Sequence, residues 1–250
     1  MSAPQRAYKT RAIVLRARNL GEADKIYTLF SEERGKIGAV GKGVRRANSR
    51  LAGKLEFMSE ASLTMHRGRN LDVITSAEIR RAHWAAIVDP AGFGTAHVIA
   101  ELIDGFCETD YAMPEIYSLL CGVLEALAGS NEPALVVPRF ELRLLGALGL
   151  APESDSCIRC GVALAREAAW ADIEAGGLAC ERCRPHRADA FALAAEDVAN
   201  FRGLAALAGG NVRPATVATP AAARAVEAFL TWHLGKLPKS RKLLDDLAHV

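Results

Sequence analysis

The spacing of apolar and polar residues changes once along this chain. Over the first 80 residues the apolar positions come in short runs divided by turn formers. Lys9 to Arg18 has a β-branched apolar centre. Lys25 to Ser31 is a second run, and Glu32-Glu33-Arg34-Gly35 turns into a third at Lys36 to Lys42. From Lys54 to His66 the odd positions Leu55, Phe57, Ala61, Leu63 and Met65 are apolar, with Ser59 breaking the series. The turn Arg67-Gly68-Arg69-Asn70 opens a fifth run, Leu71 to Ile79. Five short strands joined by tight turns predict a small barrel. The OB-fold is the commonest five-stranded barrel that binds nucleic acid, and an SH3-like barrel fits the pattern almost as well.

From about residue 84 the period becomes helical. Ile99, Leu102, Ile103 and Phe106 make one stripe, and Ile116, Leu119, Leu120, Val123 and Leu127 a second. Phe140, Leu144, Leu145 and Leu148 mark a third helix after Pro138. Thr219-Pro220 reads as an N-cap and first helical residue, beginning a helix with the stripe Val226, Phe229, Leu230, His233 and Leu237. The prediction is an α+β protein. Residues 1–80 form an N-terminal five-stranded β-barrel (OB-fold). Residues 81–250 form an α-helical domain with an inserted zinc-ribbon-like four-cysteine motif at 151–190.

Charge changes this picture more than composition does. The chain has 250 residues, half of them apolar, and a net charge of only +2. Residues 1–80 carry 16 Lys/Arg against 8 Asp/Glu, or +8, leaving 15 against 21, or −6, for residues 81–250. A basic module joined to an acidic one implies a polyanionic partner for the first. Its cations concentrate in residues 34–54, where Arg34, Lys36, Lys42, Arg45, Arg46, Arg50 and Lys54 occur without a single acidic residue. The small residues among them predict a charged, flexible loop that lays cations along nucleic-acid phosphates. Only Tyr8, Tyr27, Phe30 and Phe57 are aromatic in the first 80 residues. The expectation is therefore backbone contact with little base stacking or sequence preference.

Cys157-Ile-Arg-Cys160 and Cys180-Glu-Arg-Cys183 are two C-x2-C knuckles 19 residues apart, the spacing of a zinc ribbon. Four sulfur ligands close a tetrahedral site, so one structural Zn2+ held by Cys157, Cys160, Cys180 and Cys183 is expected. His186 is read as a surface or outer-sphere residue, and Cys107 and Cys121 as small apolar side chains. Arg159, Arg166, Arg182, Arg184 and Arg187 bring DNA contact within reach of the insert. No uncharged run reaches membrane-spanning length and no apolar stretch of signal-peptide length opens the chain, so the protein is expected to be cytoplasmic, with reduced thiols. No Walker loop, H-E-x-x-H or G-x-S-x-G sequence occurs, nor any His-x-Glu of the zinc deaminases, so the chain reads as a non-enzyme.

A basic barrel, a helical domain and a four-cysteine insert within it, in that order, resemble the RecO family of recombination mediators. Asn19-Leu-Gly-Glu-Ala-Asp24 and Lys36 to Lys42 with Gly41-Lys42-Gly43 look like that family's N-terminal signature. Arg139-Phe-Glu-Leu-Arg143, then Leu144-Leu145 and Leu148-Gly149-Leu150, is similar to its central helix. The resemblance implies a nucleoid-associated DNA-repair protein that binds ssDNA and dsDNA and anneals complementary strands. It also implies help in loading recombinase onto DNA coated with single-strand-binding protein. Implied partners are RecR, the acidic C-terminal tail of single-strand-binding protein, received at Arg139, and RecF-pathway proteins. The competing reading is a zinc-ribbon RNA-binding or transcription-associated interaction protein.

Overall fold

The computed structural model describes residues 7–83, 87–130, 136–164, 167–187, 190–206, 215 and 217–247. Arg166, named above, lies outside them. Five strands, β1 (Ala7–Leu20), β2 (Asp24–Ser31), β3 (Gly35–Gly41), β4 (Glu60–His66) and β5 (Asp72–Arg81), close into a barrel in the order β1-β2-β3-β5-β4. β1 pairs antiparallel with both β2 and β4, and only β3 and β5 run parallel. Ala12, Val14, Tyr27, Leu29, Ala39, Leu63 and Met65 fill the interior, as period-two alternation requires of inward positions.

β1 is buried on both faces over Ala12–Leu15. Ile13 pairs with Phe30 of β2, and Phe30 stacks on Tyr117 at 6.4 Å. Tyr117 lies on α2 (Pro114–Ala128), whose hydroxyl also donates to Glu60 at 2.9 Å. Helix α1 (Pro90–Phe106) packs against β1 as well. The strands thus lose one outer face to helices. α6 (Lys239–Leu247) packs on α1, and Glu101 of α1 accepts from the Lys239 and Ser240 amides at 2.9 and 3.0 Å. A carboxylate at those unpaired amides satisfies donors and complements the helix dipole.

Two compact units result: residues 1–131 with 239–250, and residues 132–238. The strand-to-helix change falls between Arg81 and Pro90, so the first unit includes α1, α2 and α6 beside the barrel. In the second, α3 (Val137–Ala147), α4 (Ala195–Ala205) and α5 (Pro220–Leu234) pack together around Phe140, Leu144, Phe201, Val226 and Phe229. Between α3 and α4 lies a small sheet, β6 (Ala169–Asp172), β7 (Gly177–Ala179) and β8 (Ala192–Leu193), in the order β7-β6-β8.

Three details depart from the sequence pattern. The run Lys54 to His66 is a strand only from Glu60, because Met58 adopts a left-handed backbone (φ 58) and buries its side chain at an even position. That residue shifts the parity that the odd apolar positions suggested. α5 is capped by Thr219, which accepts from the Ala222 amide at 3.3 Å, but ends at Gly235 (φ 74). Leu237 therefore lies beyond the helix, and both it and His233, expected members of the stripe, are exposed. Helices α4 and α6 were not legible as stripes.

Candidate nucleic-acid interface and metal centre

Residues 42–59 leave β3 as a chain of tight turns rather than a free loop. Amides of Arg46, Ser49, Ala52 and Lys54 each donate to the carbonyl three residues earlier, at 3.0–3.3 Å. Val44, Leu51 and Leu55 insert into the barrel core and pin the segment from below. Its start is fastened to the β1–β2 turn. The Gly43 amide donates to Asp24 Oδ1 at 2.6 Å, the Arg45 amide to the Ala23 carbonyl at 2.9 Å, and the Arg45 guanidinium to the Gly21 carbonyl at 3.0 Å. Lys42, Arg45, Arg46 and Arg50 are exposed and Lys54 half-buried. Among the described residues none of the five forms an ion pair. Five like charges held on an anchored frame repel one another, and an anion relieves that repulsion.

The other two cations of the segment are placed differently. Arg34 pairs with Asp72 at 3.0 Å and with Asp110, and its guanidinium lies 4.5 Å from the Tyr8 ring centre. Lys36 pairs with Asp104 at 3.1 Å and donates to the Asp104 carbonyl. Their side chains are only 16% and 18% exposed. The neighbouring Gly35 (φ 63) allows this, since a Cβ there would lie 1.9 Å from the Tyr111 carbonyl oxygen. Arg34 thus binds the α1–α2 connection to the barrel and Lys36 the end of α1, and their charge is already answered.

Asp72 is the centre of this knot. Burial works to raise its pKa, but hydrogen bonds from the Tyr8 hydroxyl, the Gly68 amide and Arg34 outweigh it and hold the carboxyl below its ordinary value. Sequence reasoning passed over further exposed cations of the barrel, among them Arg16 and Arg18 on β1 and Arg67 and Arg69 in the β4–β5 turn. They sit singly within alternating strands and turns, so no local run marks them.

In the second unit the four cysteines converge, with all four Sγ atoms within 4.8 Å of one another. Cys160 and Cys180 Sγ are 3.8 Å apart. Bonds of about 2.3 Å to one central ion set tetrahedral sulfurs about 3.8 Å apart. The first knuckle closes through the Gly161 amide on the Cys157 carbonyl at 2.8 Å, with Gly161 left-handed at φ 73. The second rides on a single 3-10 turn, Glu181–Cys183. Burial works to raise the Cys157 thiol, but the Cys180, Cys160 and Arg159 amides pull it down to about 6. Contact with the Cys160 sulfur comes first among the causes that push Cys183 up to about 12. One thiolate is stabilised by the backbone, and the four sulfurs together are a donor set that could hold a metal ion.

Arg159 pairs with buried Asp172 at 2.6 Å. Arg202 of α4 donates to the Ser154 and Leu164 carbonyls, tying the cysteine segment to the helices. His186 is exposed and outside the sulfur cluster. Burial pushes the Cys107 and Cys121 thiols up to about 11, the state of unreactive packing residues.

Arg139 stands on α3, and its guanidinium donates to four carbonyls: Gly203 at 3.2 Å, Leu204 at 3.1 Å, Ala206 at 3.1 Å and Ala215 at 2.7 Å. It occupies the C-terminal end of α4, where unpaired carbonyls favour a cation. Elsewhere in this unit an open cavity of about 600 Å3 is lined by Phe191, Arg224, Trp232 and Leu237. There Arg224 lies 4.1 Å from the Phe191 ring centre and Trp232 is exposed.

Comparison with known proteins covers both parts of this geometry. Residues 3–83 match the family described as recombination protein O N terminal, and residues 88–242 match recombination protein O C terminal. The chain is 37% identical to the DNA repair protein RecO of Nocardioides sp. (strain ATCC BAA-499 / JS614) across 95% of this chain and 99% of that protein. It is 39% identical to the DNA repair protein RecO of Bifidobacterium longum (strain DJO10A), covering 75% of this chain and 77% of the relative. The DNA repair protein RecO of Cutibacterium acnes (strain DSM 16379 / KPA171202) is 32% identical over 95% of this chain and 98% of its own length.

The Asp72 knot sets a pH dependence. A carboxyl whose pKa is lowered in the folded state contributes stability above its unfolded value, about 3.9, and loses it as pH falls through the folded value. Asp72→Asn should therefore lower the urea midpoint at pH 7 and flatten the fall in stability below about pH 4. Urea titrations of both proteins across that range check it. Parallel acid profiles would contradict the assignment.

Proposed function

The chain belongs to the RecO family of recombination proteins, which gives it a role in DNA repair, and on that premise we propose that it is a non-catalytic DNA-binding recombination mediator. In this reading the barrel is an OB-fold, supported over an SH3-like barrel by the β1-β2-β3-β5-β4 order with its parallel β3–β5 pair. The observation that carries the DNA-binding reading is the anchored segment with five cations that form no ion pair among the described residues: Lys42, Arg45, Arg46, Arg50 and Lys54. These cations track phosphates of ssDNA and dsDNA without reading bases. Arg34 and Lys36 position the frame. By lowering the repulsion between two strands, the same surface anneals complements and prepares DNA coated with single-strand-binding protein for recombinase. Residues 1–80 remain the DNA-binding domain in this proposal, and 81–250 the helical domain with its insert at 151–190.

The four cysteines hold one Zn2+. The donor set is soft, closed and correctly spaced, and when bound the ion supplies folding energy to the insert rather than chemistry. The partners are RecR, RecF-pathway proteins and the acidic C-terminal tail of single-strand-binding protein, in the cytoplasm. The tail is received by the helical part of the chain. Arg139 contributes there by holding the end of α4, and the groove that sets Arg224 beside Phe191 and Trp232, with Glu227 also in its wall and with Asp172 and Glu174 paired to Arg159 and Arg187, offers a cation beside an apolar surface for an acidic, apolar-ended peptide. Among the described residues no helix is long and apolar enough to cross a membrane.

Two measurements test this reading. Single-strand affinity should fall with salt at a slope of roughly −3 to −3.5 in log K against log salt, at about 0.7 per phosphate neutralised. Lys42→Glu with Arg46→Glu should flatten that slope by about 1.4 and abolish annealing, which in the parent protein needs no nucleotide and leaves strand lengths intact. A reversed variant that anneals normally with an unchanged slope would move the DNA site elsewhere. For the metal, carefully purified protein should contain about one zinc per chain. Cys157→Ser should lower the thermal midpoint before it lowers DNA affinity, whereas metal-free protein with the same midpoint would remove the zinc assignment.

A further inference from the structure

The last turn of the basic segment and helix α1 bring together three rings, Phe57 from the first and Phe93 and His97, one helical turn apart, from the second. Phe57 stacks on His97 with ring centres 4.2 Å apart and planes 17° from parallel. Phe93 meets His97 edge-on at 4.4 Å, and Phe57 at 5.9 Å. All three line a cavity of about 230 Å3 whose walls also include Arg16 and Lys25. Phe93 is 43% exposed, so core filling does not account for it. A cavity of this size has room for about seven or eight waters at ~30 Å3 each. That is the scale of one heterocycle, not of a helix or a folded partner.

The charges around the rings favour a nucleotide. Of the acidic residues in the wall, Glu101 is occupied by the amides opening α6 and Asp104 by Lys36, leaving Glu56. Arg16 and Lys25 form no ion pair among the described residues. Lys25 is paired in register with Gly41, the residue before Lys42, so the cavity adjoins the basic segment. Burial, then Arg16, lowers the His97 pKa and keeps its ring neutral near pH 7, suited to stacking.

We propose that Phe57, Phe93 and His97 form a stacking platform for one unpaired base of single-stranded DNA, with Arg16 and Lys25 holding its flanking phosphates. The inference rests on the DNA-binding reading above and adds to it a base contact that tells single strands from duplex, whose bases are already stacked. Stacking accepts any base, so no sequence preference accompanies it.

The test compares a short oligothymidylate with an abasic oligomer of equal length and charge, bound to the full chain at fixed salt. The parent protein should prefer the base-bearing strand by about fivefold to a hundredfold. Phe93→Ala should remove most of that preference while leaving abasic affinity, salt slope and thermal midpoint unchanged. Phe93→Trp should restore the preference, with its fluorescence quenched by thymidylate and not by the abasic strand. Equal binding of the two strands by the parent protein, with a steep salt slope, overturns the platform and leaves the phosphate site standing. An alanine variant that weakens both strands alike also overturns it. If neither strand binds the parent protein, the DNA-binding reading fails and the platform with it.

Discussion

Burial of β1 on both faces is the constraint from which the first unit follows. Ala12 and Val14 face the barrel interior, while Ile13 pairs with Phe30 beneath Tyr117. A strand apolar on both faces leaves water only by gaining a second covering layer. Helices α1 and α2 supply it, and α6 returns to pack on α1. Because β1 also pairs with β2 and β4, fixing it closes the barrel and sets the β1–β2 turn. That turn is where the basic segment is fastened, through Asp24, Ala23 and Gly21. The arrangement of surface charge thus descends from an apolar tetrapeptide.

The seven cations of residues 34–54 divide by what they meet. Arg34 and Lys36 find carboxylates and hold the α1–α2 connection and the end of α1 to the barrel. A partly buried charge has to be paired or it costs folding energy. The remaining five sit on turns whose backbone bonds are satisfied locally and whose apolar residues reach inward. Their frame is ordered before any ligand arrives, so less ordering is left to oppose phosphate binding. The cysteine centre uses a related device in the second unit. There, amides aimed at Cys157 favour one thiolate, and Arg202 secures the segment to α4.

How much of this was legible depends on the range over which each signal acts. Strands β1, β2, β3 and β5 follow from alternation and turn residues, all local. The start of β4 was not, because the left-handed Met58 shifts parity in a way that composition does not show. α6 carries a short, highly charged sequence whose helix is set by Glu101, more than a hundred positions away. The cysteine quartet was legible because two knuckles of fixed spacing are a local pattern with one common solution. The pairing of Arg34 with Asp72 and Asp110 spans 38 and 76 positions, and was not. Phe57 is evident as an aromatic residue, but its stacking on His97 exists only once α1 lies beside the segment.

The central claim is that residues 42–54, fastened to the β1–β2 turn, are the surface that takes DNA. Amide hydrogen exchange of the full chain, with and without a saturating single strand at low salt, tests it most directly. The account predicts slowed exchange at residues 21–25 and 42–54, with the amides of 157–183 unchanged. Slowing confined to 157–183, with the basic segment unaffected, would contradict it.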